Sequence, residues 1–63
     1  MDYKVLSVQL ALEAMRRGAS QNLAVAMAQE VTDRLLEMPE PPDLILVLMN
    51  IENVFRSYGY PAT

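Results

Sequence analysis

The segment LLEMPEPPDLILVLMNIENVF, residues 35–55, decides the fold because it places consecutive prolines between two apolar stretches. Proline removes a backbone donor and restricts the residue before it, so PEPP, residues 39–42, is expected to end a helix. Pro41 or Pro42 can then occupy the first turn of the next helix, where a missing N–H costs little. Asp43 adds an acidic charge near that helix N-terminus. The segment predicts two helices joined by a stiff connection.

The residues after the prolines, 43–58, have the apolar spacing of one helix face, with apolar side chains at i, i+3, i+4 and i+7. A short apolar run can also form a strand. Here the helical period continues beyond LILVLM, and a single strand would have no partner. The helix is expected to end at Gly59, with Tyr60 as C″ and Pro61 as a stop. Its predicted core face consists of Leu44, Val47, Leu48, Ile51, Val54, Phe55 and Tyr58.

Residues 20–38 predict a second helix, with Ser20 as its N-cap. The face opposite its apolar stripe is charged and polar, which is typical of a solvated surface. That face carries Asn22, Gln29, Glu30, Asp33, Arg34 and Glu37. The apolar stripe, predicted to lie in the core, consists of Ala24, Met27, Ala28, Val31, Leu35 and Met38.

Residues 3–17 predict a further helix, with Asp2 near its N-terminus and Arg17 in its last turn, where each charge complements the helix dipole. Gly18 is a natural C′ residue, and Gly18 with Ser20 is a break signal. We therefore predict two helices before the prolines. One continuous helix is the alternative if a partner covers one end. The predicted core face is Val5, Val8, Ala11, Leu12 and Met15, and a weaker apolar strip is Leu6, Leu10 and Ala14.

The chain length of 63 residues indicates one domain, 1–63, near the lower limit for independent folding. Domains of this size often need a disulfide, a metal or a second subunit. The chain has no Cys and no His, which excludes disulfides and removes the commonest metal ligand and general base. Self-association or a partner protein is the remaining way to complete the core.

The charge balance is acidic, with five basic and eight acidic residues and a net charge of −3. Binding to nucleic acid or to anionic membranes requires a basic surface, so this balance argues against both. The longest apolar run is far shorter than the roughly 20 residues of a membrane span, and MDYK at the N-terminus has no signal-peptide pattern. The sequence predicts a soluble cytoplasmic protein.

No catalytic, metal-binding or cofactor-binding motif is evident. Glu30, Asp33 and Glu37 lie together on a helix face, but the inward positions needed for a carboxylate metal site are aliphatic. Gly18 and Gly59 are the two glycines, so there is no Gly-rich phosphate loop. We expect a non-enzyme without catalytic residues, cofactor, metal or small-molecule substrate.

The third helix carries more apolar surface than one core face requires. Ile45, Leu46 and Met49 point away from the predicted core face, and a clustered apolar surface is typical of an interface. We therefore predict that the chain binds itself, as a homodimer, or binds a larger protein. The alternative is a third helix that is central and buried nearly all round. The predicted partner-binding residues are Leu6, Leu10, Ile45, Leu46, Met49, Glu52 and Arg56, with the last two as rim charges.

The stretch RRGASQNLAVAM, residues 16–27, resembles the start of a helix-turn-helix DNA-binding unit, in which Ser–Gln opens a helix followed by Leu–Ala. The resemblance implies a DNA-binding transcriptional regulator as the alternative function. The family pattern then has a Gly where this chain has Ala28, and the reading face would carry Asp33 and Glu37.

The predicted fold is all-α, a small bundle or hairpin of two to three antiparallel helices. Such an acidic helical hairpin with a proline turn resembles the co-chaperones of bacterial secretion systems and short bacteriophage inhibitors of host proteins. This resemblance is architectural and implies an adaptor, co-chaperone or inhibitor.

Overall fold

The computed structural model describes residues 2–62, which form three helices and contain no strand. Helix α1 spans Tyr3–Arg16, α2 spans Gln21–Leu36 and α3 spans Leu44–Ser57. Each helix lies within its predicted range and is shorter by one or two residues at one or both ends. The all-α prediction and the Pro-rich connection between α2 and α3 are confirmed.

Each helix begins with a polar side chain that accepts hydrogen bonds from backbone N–H groups of the first turn. Asp2 caps α1, Ser20 caps α2 and Asp43 caps α3. The Asp43 carboxylate accepts a 2.9 Å bond in this way. The prediction that Pro41 or Pro42 lies in the first turn of α3 is wrong. Both prolines precede the helix, because Asp43 holds the cap position with an extended backbone.

Helices α1 and α3 end in the same glycine-dependent turn. Gly18 has φ +106°, and the Ala19 N–H donates to the Ala14 carbonyl at 3.0 Å. Gly59 has φ +90°, and the Tyr60 N–H donates to the carbonyl five residues earlier at 2.8 Å. These are Schellman motifs, which satisfy free carbonyls at a helix end. The turn at Gly18 confirms that α1 and α2 are separate helices.

Helix α2 is central and buries the predicted stripe against both other helices. Five of the six predicted stripe residues are buried, and Met38 is half-buried against them. The face predicted to be solvated is exposed apart from Glu30, which is half-buried because the Tyr58 hydroxyl donates to it at 2.9 Å. This hydrogen bond raises the pKa of Tyr58 and joins α2 to the end of α3.

The three helices alternate in direction. Tyr3 at the start of α1 lines a pocket with Leu35 and Leu36 at the end of α2, so α1 and α2 run antiparallel. Leu6 near the start of α1 lines a groove with Leu44 near the start of α3, so α1 and α3 run in the same direction. Both outer helices therefore lie against α2 and beside each other.

Helix α1 buries the face that the sequence predicted to be the weaker one. Leu10 and Ala14 are buried, whereas the predicted core residues Val8 and Leu12 are 61% and 58% exposed. Val5 and Met15 are also exposed, and Ala11 is half-buried. The physical reason lies in the turn that follows. A Schellman motif is often accompanied by an apolar contact between its C3 and C″ residues, which are Ala14 and Ala19 in this turn. Both residues are buried, so this side of α1 faces the core.

Helix α3 buries only part of its predicted face. Val47, Val54 and Phe55 are buried, but Leu44 and Leu48, also predicted to be in the core, are 69% and 52% exposed. They are exposed because α1 and α3 leave an open groove at their N-terminal halves. The alternative prediction of a third helix buried nearly all round is therefore wrong.

Candidate protein-binding surface

An apolar groove separates the N-terminal halves of α1 and α3 and has a volume of about 400 Å³. Its floor contains Val47, a buried core residue, and Leu6, which packs against the core. Its walls carry exposed side chains, among them Val5 on α1 and Leu48 on α3. The remaining lining residues are Asp2, Gln9, Leu44 and Ile51. Apolar concave surfaces with a few polar groups at the edge are typical of binding sites.

Beyond the groove, Arg17 joins the C-terminal end of α1 to α3. Its Nε donates to Glu13 Oε2 at 2.8 Å, and its Nη2 donates to Glu52 Oε1 at 3.1 Å. Its Nη1 donates to the Tyr60 carbonyl at 3.0 Å. Its guanidinium carbon lies 4.7 Å from the centroid of the Phe55 ring. These contacts hold the C-terminal ends of α1 and α3 together, whereas the groove lies between their N-terminal halves.

The charges around Arg17 stabilise one another. Although burial alone would lower the pKa of Arg17, the hydrogen bonds to the Glu13 and Glu52 carboxylates raise it. The hydrogen bond from Arg17 is the main cause that lowers the pKa of Glu13. Burial opposes this effect, and the hydrogen bond and charge of Arg16 lower the pKa further. Arg17 therefore stays charged and Glu13 ionised, so an ionic cluster joins the C-terminal ends of α1 and α3.

Beside the groove lies the α3 patch, a group of exposed apolar side chains on the first two turns of α3. Ile45 is 69% exposed and Met49 is 54% exposed. A cluster of this kind is uncommon on a monomer surface unless it has a function. The α3 patch consists of Leu44, Ile45, Leu46, Leu48 and Met49.

The outer face of α1 carries a second set of exposed apolar residues, the α1 stripe. It consists of Val5, Val8, Leu12 and Met15. Their spacing of three and four residues places them on one face of the helix. Val5 belongs both to the α1 stripe and to the groove lining. The groove therefore connects the α1 stripe with the α3 patch in one apolar surface.

Four of the predicted partner-binding residues are exposed on α3. Ile45, Leu46 and Met49 lie in the α3 patch, and Arg56 is exposed further along the helix. The structure brings these residues together on one helix. Their role in binding stays a prediction.

Three other predicted partner-binding residues have roles inside the chain. Leu10 is 5% exposed and belongs to the core, so its prediction as a surface residue is wrong. Leu6 is half-buried and packs against the core from the groove floor. Glu52 was predicted as a rim charge, but it is half-buried and forms an ion pair with Arg17. Leu6 and Leu10 lie on the face of α1 that turns toward α2, which explains why neither residue is exposed.

Sequence reasoning placed six exposed residues in the core: Val5, Val8, Leu12 and Met15 on α1, and Leu44 and Leu48 on α3. Leu44 and Leu48 fit the helical spacing of the predicted core face as well as the buried residues of α3 do. The spacing therefore could not distinguish these exposed residues from the buried ones. The available signal was the number of apolar residues on α3, which exceeds what α2 can cover.

The resemblance to a helix-turn-helix unit does not extend beyond residues 16–27. Ala28 is fully buried inside α2, which continues without a turn to Leu36. A recognition helix would have to begin after a turn near this position. DNA binding stays the alternative prediction, but α2 has no turn near Ala28 that would support it.

Among residues 2–62, no group of three or more Cys, His, Asp or Glu is placed to hold a metal ion. In the same part of the chain, no helix has the length and apolar character required to cross a membrane.

Comparison with known proteins adds no family to this description. No family model matches the chain, and no curated protein or solved structure shows significant similarity to it.

Proposed function

We propose that this chain is a non-enzymatic protein-interaction module, acting as a small adaptor, co-chaperone or inhibitor, that binds through the groove and the α3 patch. The observation that carries the proposal is the exposure of the α3 patch. All five of its apolar residues are exposed, on a helix that also lines an apolar groove.

Leaving these apolar side chains in water is unfavourable. Full burial of one Leu, Ile or Met side chain stabilises by about 1.5–3 kcal/mol. A domain of this size has a total stability of only about 3–9 kcal/mol, at roughly 0.05–0.15 kcal/mol per residue. Covering even half of the α3 patch would therefore add free energy comparable with the stability of the isolated fold.

The shape of the surface supports binding of a helix. The groove runs between two helices, and an amphipathic helix laid into such a groove is a recurring recognition mode. Met49 adds a flexible, polarizable side chain that can adapt to an irregular partner. Gln9 and Asp2 at the groove edge supply polar atoms, which matches the polar rim of protein interfaces.

The test is site-specific photo-crosslinking in cells that produce the protein. A photo-reactive residue replaces Ile45 in one variant and Met49 in a second. The matched control replaces Gln29, which is exposed on the polar face of α2. We expect covalent protein adducts from the Ile45 and Met49 positions and none from Gln29.

The adduct mass reports the kind of partner. A species of twice the chain mass indicates self-association, and a heavier species indicates another protein. Either result at the α3 patch, without the same adduct at Gln29, supports the proposed function. Absence of any adduct at both patch positions, with the variants helical by circular dichroism, would overturn it.

A further inference from the structure

We infer that the groove has a closed and an open state, because the first half of α3 unfolds locally while the second half stays attached to α1 and α2. The opening segment consists of residues 39–50, which are the Pro-rich connection and the first two turns of α3. The structure shows the closed state. The opening is a property of the free chain, so it goes beyond the proposed function, although it changes the same groove.

The polar contacts of α3 with the other helices lie in its second half and in the turn after it. Glu52 accepts a hydrogen bond from Arg17 at 3.1 Å, and the Tyr58 hydroxyl donates to Glu30 at 2.9 Å. The Tyr60 carbonyl accepts a further bond from Arg17 at 3.0 Å. Within the described part of the chain, no hydrogen bond or ion pair joins the opening segment to α1 or α2. The polar contacts therefore hold only the second half of α3.

The burial of side chains follows the same division of α3. In the second half, Val54 and Phe55 are fully buried. In the opening segment, whose residues are all described, Val47 alone is buried, and the apolar residues of the α3 patch are between 42% and 69% exposed. Local opening therefore removes one buried side chain from the core and leaves two in place. Regions with few buried apolar contacts open more readily than the whole chain unfolds.

The connection between α2 and α3 does not hold the start of α3 in place by hydrogen bonds. Three of its four residues, 39–42, are prolines, which have no backbone N–H. In the part of the chain that the structure describes, no backbone hydrogen bond involves these four residues. The cap of α3 is a bond from the Leu46 N–H to the Asp43 carboxylate, and both residues belong to the opening segment. The start of α3 can therefore leave α1 and α2 without breaking a hydrogen bond to either helix.

The groove lies directly beside the opening segment. Its volume of about 400 Å³ separates the first halves of α1 and α3, so these halves are not packed tightly against each other. Leu44 and Leu48 form the α3 wall and are exposed, which leaves few contacts to hold this wall against α1. When the wall and Val47 move away, Leu6 on the groove floor becomes accessible from the side of α3. The open state therefore admits larger apolar groups than the closed groove.

The test is native-state amide hydrogen exchange of the free chain, followed by NMR under conditions in which the exchange rate reports the opening equilibrium. The amides of Met49 and Asn50 report the opening segment, and the amide of Phe55 reports the second half of α3. The amide of Ala28, in the middle of α2, reports unfolding of the whole chain. After correction for intrinsic rates, we expect Met49 and Asn50 to exchange at least about tenfold faster than Phe55 and Ala28.

Two matched substitutions separate local opening from unfolding of the whole chain. Val47→Ala and Val54→Ala make the same chemical change at two buried positions of α3. The contacts of Val47 are lost in the open state, so Val47→Ala is expected to speed the exchange of Met49 by about tenfold. The contacts of Val54 are kept in the open state and lost only when the whole chain unfolds. Val54→Ala is therefore expected to speed the exchange of Ala28 by about the same factor and to leave Met49 unchanged.

Three results would overturn the inference. The first is exchange of Met49 no faster than that of Ala28, and the second is exchange of Phe55 as fast as that of Met49, because α3 would then open as a whole. Both are measured on the unmodified chain and do not depend on the folding of a variant. The third is an equal acceleration of Met49 by Val47→Ala and Val54→Ala, because exchange at Met49 would then require unfolding of the whole chain.

Failure of the opening and failure of the proposed function are distinguishable, because they are measured separately. Photo-crosslinking at Ile45 reports a partner on the α3 patch, whereas hydrogen exchange reports the free chain. Adducts at Ile45 with uniform exchange along α3 would keep the proposed function and overturn the opening. Fast exchange confined to the opening segment, without any adduct, would keep the opening and overturn the proposed function.

Discussion

The Arg17 guanidinium carbon lies 4.7 Å from the centroid of the Phe55 ring, and Phe55 is fully buried. A cation over an aromatic face is attracted by the ring quadrupole. The same guanidinium binds Glu52 and the Tyr60 carbonyl, so one side chain at the end of α1 contacts α3 and the turn that follows it. This contact sets how closely α1 and α3 approach at one end and leaves the groove open at the other.

Replacement of Arg17 tests this role. Arg17→Met keeps an apolar stem over Phe55 but removes the charge and the hydrogen bonds to Glu52 and Tyr60. We expect the free energy of unfolding to fall by about 2–3 kcal/mol, measured by urea denaturation. Arg16→Met is the control, since Arg16 also pairs with Glu13 but has a side chain that is 79% exposed. Its effect should stay below about 1 kcal/mol, and equal losses in the two variants would contradict the role of Arg17.

A pair of substitutions on α1 tests which face is buried. Leu10→Ala removes a buried side chain and should cost about 2–4 kcal/mol. Leu12→Ala makes the same chemical change two residues away, on the α1 stripe, and should change stability by less than about 0.5 kcal/mol. Thermal unfolding of both variants at the same protein concentration provides the comparison. A larger loss for Leu12→Ala would mean that the other face is in the core.

Substitutions at Gly59 test how much its backbone conformation contributes to the free energy of unfolding. A side chain added there meets no atom within 4 Å, so any cost of Gly59→Ala comes from the positive φ of +90°. We expect a loss of about 1 kcal/mol in urea denaturation. Asn accepts positive φ more readily than Ala, so Gly59→Asn should cost less. If the two variants are equally stable, the backbone explanation is wrong.

The ion pairs of Glu13 predict how stability changes in acid. Because its folded pKa is lowered below the ordinary value of 4.5, Glu13 contributes stability that is present above pH 4.5. This contribution is lost as the pH falls through the lower folded pKa. In Glu13→Gln the stability should vary less over this acidic range, as measured by chemical denaturation at several pH values. If Glu13→Gln keeps the pH dependence of the unmodified chain, this contribution of Glu13 is contradicted.

The helices and their ends could be predicted because their signals are local. Ser20 and Gly18 act on backbone groups within a few residues, and the stripe of α2 faces neighbours on both sides. The buried face of α1 could not be predicted, because two apolar strips compete on this helix. The choice is made by the packing of Ala14 and Ala19 into the core at the turn after α1, which the apolar period of the helix does not contain.

The candidate surface was predictable in part. Ile45 and Met49 were identified because they fall outside the core period of α3, and that reasoning needs only the sequence. Leu44 and Leu48 follow the core period but are exposed. Their exposure depends on the divergence of α1 from α3, a tertiary arrangement that periodicity does not contain.

The position of Asp2 at the mouth of the groove has a practical consequence for experiments on this protein. An affinity tag fused ahead of Asp2 would emerge next to Leu44 and could fold back over the apolar walls. The opposite end, where Tyr60 meets Arg17, lies roughly 20 Å away along α1, at about 1.5 Å per residue. A fusion placed after the exposed Pro61 would leave the molecule there and keep the groove free, so we recommend that end for immobilisation.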